Sequence, residues 1–438
     1  MAQTLTVAEA VDRTGFGRFQ RKLLWICGAS WAADGMEVLL IGFAIPSLTA
    51  DWNLSKAQGG QLASVLFLGM LLGAWFWGTL SDSKGRKLGF MATIGIDSLF
   101  GLLSAFAPNF TVLLILRFIT GFGVGGTLPV DYAIFCEYLP SKNRGRYLVL
   151  LESFWALGTI VAAGLAWAVV PNLPTLGWRV LLAASALPGL IVFFIRRGIP
   201  ESPRHLMVVG KVSEAKAVVQ AVAASNAVDL GDFDLVAEPV MEKAPFKAIF
   251  KSPYLRPTLT MTLAWFFLSL GYYGIFTWLP GIFRGQGFAF YSTYQYTFLI
   301  AVAQLPGYFT AAWLVEKWGR VKTISFYLLF AAIATFLFAI STSETWAVIF
   351  SSLMSFFTLG AWGGIYAYTP ELYPTQARGT GTGWAGGVAR VAGIIAPMLG
   401  ARLLTINLVA GLTVYAVSFL VAGISVFAMG KETRNTVL

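Results

Sequence analysis

Two stretches decide the fold: Leu80-Ser-Asp-Ser-Lys-Gly-Arg-Lys87 and Leu314-Val-Glu-Lys-Trp-Gly-Arg-Val-Lys322. Asp82, Gly85 and Arg86 of the first recur as Glu316, Gly319 and Arg320 of the second. A second pair follows, with Glu137, Pro140 and Arg144 in EYLPSKNRG recurring as Glu371, Pro374 and Arg378 in ELYPTQARG. All six pairs lie 234 positions apart (316 against 82, 378 against 144), so the second half repeats the first without net insertion. The motifs punctuate rows of long apolar segments. A membrane chain built from two similar halves follows the plan of a secondary transporter, whose binding site lies near the midplane between the repeats.

Composition agrees with a membrane chain. Hydrophobic residues make up 57% and charged residues only 12%, with a mean hydropathy of +0.71, far from a soluble domain. A lipid-crossing helix needs about 20 mostly apolar residues. Twelve candidates emerge, at roughly 22–48, 58–80, 88–107, 111–138, 147–170, 178–196, 257–281, 292–315, 323–341, 345–369, 380–404 and 408–429. None shows the period-2 alternation of a membrane β-strand. The expected class is therefore an all-α membrane protein, with bundles at 1–196 and 257–438 joined by a polar connection at 197–256. Within that connection, Ser202 to Ala224 reads as one or two short amphipathic helices.

The net charge of +10 reports topology rather than nucleic-acid binding. All of the 31 Lys and Arg except Lys56, Arg117, Arg179, Arg284, Arg390 and Arg402 fall in the two tails or in loops after even-numbered helices. That bias predicts both termini in the cytoplasm. Cys27, Cys136 and the lone His205 have no metal-ligand spacing, so no metal is expected. Two matches to G-x-G-x-x-G, Gly121–Gly126 and Gly381–Gly386, lie in apolar helices with no strand before them. They read as close helix packing rather than a dinucleotide site.

Ionisable side chains at bilayer depth are costly and point to function. Asp34 and Glu37 fall near the middle of the first span, Asp97 in the third, Arg117 and Asp131 in the fourth, Glu152 in the fifth and Arg390 in the eleventh. Asp34 and Glu37 share a helical face at i, i+3, a spacing of about 5–6 Å. Two carboxylates so close in low dielectric cannot both stay ionised, which suits a proton carrier. Arg390 keeps its charge and needs an anion, either a substrate carboxylate or one of Asp34, Glu37 and Asp131. Trp155, Tyr272, Tyr273, Trp362 and Tyr366, with the amide of Gln304, offer stacking and hydrogen bonding to a flat substrate. In the loops, Asp82 and Glu316 suit capping a helix or pairing with Arg86 and Arg320. Glu137 with Arg144, and Glu371 with Arg378, suit pairs that open and close one side of the molecule.

With twelve spans and doubled D/E-x-x-G-R and E-x6-R signatures, the whole chain resembles the major facilitator superfamily. Pro200-Glu-Ser-Pro-Arg204 is similar to a sugar-porter motif, but the seventh span, TLAWFFLSLGYYGIFTWLP, lacks the glutamine-rich pattern of sugar porters. Five segments resemble the bacterial niacin transporter family: Leu151–Gly158, Gly271–Pro280, Ala303–Tyr308, Tyr366–Pro374 and Gly383–Arg390. Asp34-Gly-Met-Glu37 is similar to the Asp-Gly-x-Asp motif of aromatic acid–proton symporters, and synaptic-vesicle-glycoprotein-like and organic-ion transporters are related groups. The resemblance implies proton-coupled uptake of a small aromatic carboxylate, with Arg390 near the carboxylate and Asp34 and Glu37 in coupling. Asp131 departs from the niacin pattern. A third acid facing the cavity favours a cation or zwitterion, so an organic-cation carrier using Asp131 and Glu37 is the rival reading. A non-transporting sensor on the same fold is a third. No enzyme chemistry and no cofactor are expected. The expected partners are a small organic ion, protons and the lipid bilayer, for a monomer in a bacterial inner membrane.

Overall fold

The computed structural model describes residues 3–142, 144–236 and 245–434. A short strand, β1 (Gln3–Thr6), and α1 (Val7–Thr14) lead into six long helices. These are α2 (Arg18–Trp52), α3 (Lys56–Lys84), α4 (Arg86–Ser104), α5 (Phe110–Tyr138), α6 (Arg144–Val169) and α7 (Gly177–Arg196). The connection holds α8 (Pro203–Val208), α9 (Val212–Ser225), β2 (Phe233–Val236) and a 3-10 turn (Phe246–Phe250). The second half contains α10 (Leu255–Gly285), α11 (Phe290–Val302), α12 (Gln304–Trp318), α13 (Arg320–Ala339), α14 (Glu344–Glu371), α15 (Thr375–Ile406) and α16 (Leu408–Met429). Counting α11 and α12 as one crossing, twelve helices among the described residues are long and apolar enough to span a bilayer.

The helices outrun their apolar cores. The first was expected at 22–48 but extends over Arg18–Trp52, stopping only where Asn53 adopts a left-handed φ of 52°. Nothing in the flanking turns breaks the backbone ladder earlier, so polar residues continue it beyond the lipid-length core. The eighth crossing differs the other way. A single helix was expected at 292–315, but it breaks at Ala303. Pro306 has no N–H for the Val302 carbonyl, and its ring crowds that oxygen.

Two faces of the molecule start their helices differently. On the face opposite the termini, α3, α5, α14 and α16 carry their own N-caps. Asn109 accepts from the N–H of Val112 at 3.0 Å and Asn407 from that of Ala410 at 2.9 Å, and Ser55 and Ser343 act likewise. On the face bearing the termini, α4 and α13 begin directly after glycines that have no side chain to cap with.

Polar groups lie inside and large apolar side chains lie outside. Trp25, Trp75, Phe106, Phe194, Trp313 and Phe427 are all exposed, whereas Asp34, Asp97, Arg117 and Arg196 are buried. That inversion suits a lipid solvent, and the chain is an integral multi-pass membrane protein. Within the first half, α3 and α5 touch backbone to backbone. A Cβ on Gly121 or Gly125 would come within 2.1 Å of the carbonyls of Leu66 and Met70, so the first glycine motif is a packing seam. In the second motif only Gly381 is tightly packed, against the ring of Tyr373.

The two six-helix bundles meet along α2 with α10, α3 with α15 and α6 with α11. Four hydrogen bonds join them among the described residues, all at mid-depth or toward the far face. Trp155 donates to Tyr272 Oη at 3.1 Å, Tyr294 to the Phe43 carbonyl at 3.1 Å, Ser64 to that of Ile394 at 2.7 Å, and Lys56 to that of Leu404 at 3.5 Å. On the terminal face, β1 pairs in parallel with β2, Gln3 opposite Phe233. Leu5, Val11, Leu206, Val219 and Phe233 form a small satellite core that ties the N-terminal segment to the connection. Neither strand carries a signal in the sequence, because each is four residues long and its partner is more than 200 positions away.

Candidate functional site

The buried charges fall into two clusters. The first is enclosed within the N-terminal bundle by α2, α4, α5 and α7. Glu37 and Arg117 form an ion pair at 2.8 Å with both side chains fully buried. Their alignment is imperfect for a hydrogen bond, but charge attraction does not depend on that angle. Arg117 also donates to the Glu37 carbonyl at 3.2 Å, and Ser185 donates to Glu37 Oε1 at 2.6 Å. Asp131 pairs with Arg196, which also donates to the Phe90 carbonyl and stacks on the Phe90 ring. Asp34 is 0% exposed, and neither of its carboxylate oxygens has a hydrogen-bond partner among the described residues.

This geometry revises three expectations. Asp34 and Glu37 are not an equal dyad: Glu37 is held by Arg117, while Asp34 has no ion pair among the described residues. Asp131 does not face an open cavity but lies against Arg196 inside the bundle. Arg390 bridges to none of the three acids. Arg196 was expected in a loop, as the last residue of an apolar span followed by Arg197. It is fully buried, and the acid it neutralises lies 65 positions earlier.

The second cluster lies between the bundles. Arg390 on α15 is 7% exposed, and no carboxylate lies within 4 Å of it among the described residues. Its Nη1 donates to the Gly386 carbonyl at 3.3 Å, and its Nε is buried without a partner. Around it are Tyr273 and Tyr366, which share its field with Glu152 of α6. Trp155, Tyr272, Tyr273, Trp362 and Tyr366 form one aromatic group, with Tyr272 and Tyr273 rings 5.1 Å apart and Trp362 and Tyr366 rings 5.8 Å apart. The sequence-chosen aromatics therefore converge. Gln304, the first residue after the break in the eighth crossing, is fully buried, and neither its amide atoms nor the indole N–H of Trp362 have a partner among the described residues. Buried polar groups without partners carry a free-energy cost that a polar ligand relieves. Sequence reading gave Glu152 no role and overlooked Trp31 and Tyr132, although Tyr132 donates a short hydrogen bond to Glu152 Oε1.

The loop motifs form charge clamps, and Glu137 and Glu371 take partners other than the expected Arg144 and Arg378. Arg86 pairs with Glu137 at 3.1 Å and Arg320 with Glu371 at 2.9 Å, each across 51 positions. Arg144 and Arg378 instead donate to the carbonyls of Leu139 and Pro370. Among the described residues the expected Glu316–Arg320 pair does form, at 3.3 Å. The side chain of Asp82 lies outside the described residues. The bare starts of α4 and α13 are capped from a distance. Glu201 accepts from the backbone N–H of Arg86 at 2.9 Å and of Lys87 at 3.1 Å. Glu432 does the same for Arg320 at 3.0 Å and Val321 at 3.1 Å. This explains both motif glycines. Gly85 and Gly319 have φ values of 109° and 92°, and a Cβ on either would lie 2.4 Å from the capping carboxylate. Glu432 shares its position in the fold with Glu201 but little local sequence, so no motif advertised it.

Glu432 lies outside the membrane spans. Burial would raise its pKa, but the backbone N–H groups of Arg320, Arg434, Val321 and Thr433 outweigh that and hold it below the ordinary carboxylate value.

The chain is similar to known proteins over nearly its whole length. It is 40% identical to the niacin transporter NiaP of Acinetobacter baylyi over 397 residues, covering 90% of each chain. It is 36% identical to the putative niacin/nicotinamide transporter NiaP of Bacillus subtilis, covering 96% of this chain and 98% of that one. Organic cation/carnitine transporter 7 of Arabidopsis thaliana is 31% identical over 98% of this chain and 95% of that protein. In fold it matches the partially occluded inward-open xylose transporter XylE of E. coli, with a TM-score of 0.77, 18% identity, and coverage of 96% of this chain and 100% of that one. The Major Facilitator Superfamily model matches residues 26–397 and 297–436. The two repeated bundles, the paired loop motifs and these matches agree: the chain is a transporter of the Major Facilitator Superfamily.

Proposed function

We propose that this protein is a proton-coupled symporter of a small aromatic carboxylate, nicotinate first, working by alternating access. The observation that carries the reading is Arg390: a buried guanidinium between the bundles, with no carboxylate within 4 Å among the described residues and with Tyr273 and Tyr366 of the aromatic group as neighbours. A permanent cation in that setting calls for an anion, and a flat anion also satisfies the rings. The names of the two bacterial relatives support the same class of substrate.

The proton site of this proposal is the cluster inside the N-terminal bundle. Asp34, Glu37, Asp97 and Asp131 face Arg117 and Arg196, so four acids against two bases leave two excess negative charges if all ionise. A low-dielectric interior resists that excess, and protons relieve it. Asp34, with no ion pair among the described residues, is the carrier. Glu37 is the residue through which Arg117 transmits the change. The organic-cation reading loses support, because Glu37 and Asp131 are each occupied by an arginine.

The terminal face is cytoplasmic in this reading, consistent with the distribution of Lys and Arg. The bundles are joined at mid-depth and on the far side, as expected of an inward-facing carrier. The Arg86–Glu137 and Arg320–Glu371 clamps, with Arg144 and Arg378 at adjacent helix starts, belong to the cytoplasmic gating region, each holding neighbouring helices of its own bundle together while that side is open. The carrier acts as a monomer in a bacterial inner membrane, with domain limits at 1–196, 197–256 and 257–438. The test is uptake of labelled nicotinate by proteoliposomes with and without an inward proton gradient. Gradient-stimulated accumulation is expected. Saturable uptake that ignores the gradient would remove the coupling claim, and absence of both uptake and binding would remove the substrate claim.

A further inference from the structure

Glu152 has no place in the proton network just described. It projects from α6 of the N-terminal bundle, is 2% exposed, and has no Lys or Arg within 4 Å among the described residues. Trp155, at i+3 on the same face of α6, donates to Tyr272 across the bundle interface, so Glu152 lies on the α6 face that meets the C-terminal bundle, with Tyr273, Tyr366 and Arg390 among its charged and polar neighbours. Leaving a carboxylate inside a membrane protein without a paired cation costs several kcal/mol. One hydrogen bond from Tyr132 does not offset that cost. The indole N–H of Trp31 lies near the same carboxylate but falls short of hydrogen-bond geometry and has no other partner. A buried acid and a buried base thus stand on opposite bundles, attracting each other without touching.

Resting on the aromatic-acid reading above, we propose that Glu152 reads the ring nitrogen of a substrate whose carboxylate is held by Arg390, so that the site selects nitrogen heteroaromatic acids over their carbocyclic counterparts. A pyridine carboxylate carries an anion at one edge and a nitrogen at the other. A protonated ring donates its N–H to the Glu152 carboxylate; a neutral ring accepts from the protonated acid. Either way one proton is shared between Glu152 and the ring nitrogen, and no covalent bond changes. Tyr132, donating to Oε1, fixes the carboxylate and leaves Oε2 for the ligand. It is a positioning residue. Because Glu152 and Arg390 belong to different bundles, only a ligand with both groups links the halves through two polar contacts. A site built around such a hydrogen bond rejects an analogue that lacks it, because the buried group is then left unpaired.

The test uses purified full-length protein and two acids of nearly equal shape, nicotinate and benzoate. Wild type is expected to bind nicotinate at least about tenfold more tightly, the discrimination of one hydrogen bond involving a charged group. Glu152→Leu should bring the ratio close to one by weakening nicotinate alone, and Glu152→Gln, which keeps a hydrogen-bonding amide, should fall between. Arg390→Ala should weaken both acids together. A wild-type ratio near one overturns the inference, and this arm needs no variant to fold. A Leu or Gln variant that keeps the full wild-type ratio overturns it too, even if that variant loses gradient-driven accumulation. Wild type that binds neither acid overturns the underlying aromatic-acid reading instead.

Discussion

The two buried charge clusters are built on opposite terms. Inside the N-terminal bundle, acids outnumber arginines, two ion pairs are closed, and the contacts come from helices of one half. Between the bundles, Arg390 and Glu152 remain apart, aromatic rings fill the surroundings, and the contacts come from both halves. The difference teaches where each kind of chemistry belongs. A proton needs only a buried acid with a shifting environment, and a rigid bundle supplies that. An organic ion needs groups that approach and separate, and only the surface between moving halves supplies those.

The comparison can be broken most forcefully at its closed pairs. Arg117→Met leaves Glu37 as an unpaired buried carboxylate and should destabilise the protein by about 3–5 kcal/mol. Thermal unfolding in detergent would register this, and adding Glu37→Gln should restore most of the loss. If Arg117→Met alone is neutral, the pair is not a structural ion pair.

Next in size is the open cluster. Arg390→Ala should weaken nicotinate binding by about 10- to 100-fold, the worth of a charge-assisted hydrogen bond, with little change in melting temperature. A large loss of stability instead would make Arg390 part of the scaffold. Asp34→Asn sharpens the contrast from the other side. It should abolish gradient-driven accumulation, preserve substrate exchange across the membrane, and leave nicotinate affinity within about threefold, a change well below one lost hydrogen bond. Retained accumulation would move the proton site elsewhere.

The smallest effect lies on the terminal face. Glu432→Gln should cost about 0.5–2 kcal/mol, the range for losing a helix N-cap. The pH dependence follows from the lowered pKa of Glu432 in the folded protein. Its contribution is present above the unfolded-state pKa and is lost as pH falls through the lower folded value. Wild type should therefore lose more stability than Glu432→Gln on acidification through the carboxylate range, and equal losses would remove the cap from the account.

Much of the fold was legible because its signals are local. Apolar length marks each span, and the equal spacing of Asp82, Gly85 and Arg86 with Glu316, Gly319 and Arg320 marks the repeat. The convergence of Trp155, Tyr272, Tyr273, Trp362 and Tyr366 was also anticipated, because position along a span gives depth at about 1.5 Å per residue. Depth is not direction. The i, i+3 spacing of Asp34 and Glu37 placed them on one face, but only packing shows that Arg117 takes one and leaves the other. The same limit misassigned the partners of Glu137 and Glu371. Nearby Arg144 and Arg378 looked nearer along the chain, whereas the helix ends bring Arg86 and Arg320 to them.

The sequence by itself determined the twelve spans, the two-fold repeat and the family, because hydrophobic length and motif spacing are written residue by residue. The tertiary structure alone decided which charges meet. Arg196 reaches Asp131, Glu432 caps the start of α13, and Glu152 accepts from Tyr132 with no Lys or Arg within 4 Å among the described residues. Such contacts depend on how helices rotate and cross, and a short-range charge interaction changes greatly over the few ångströms that a helix rotation covers.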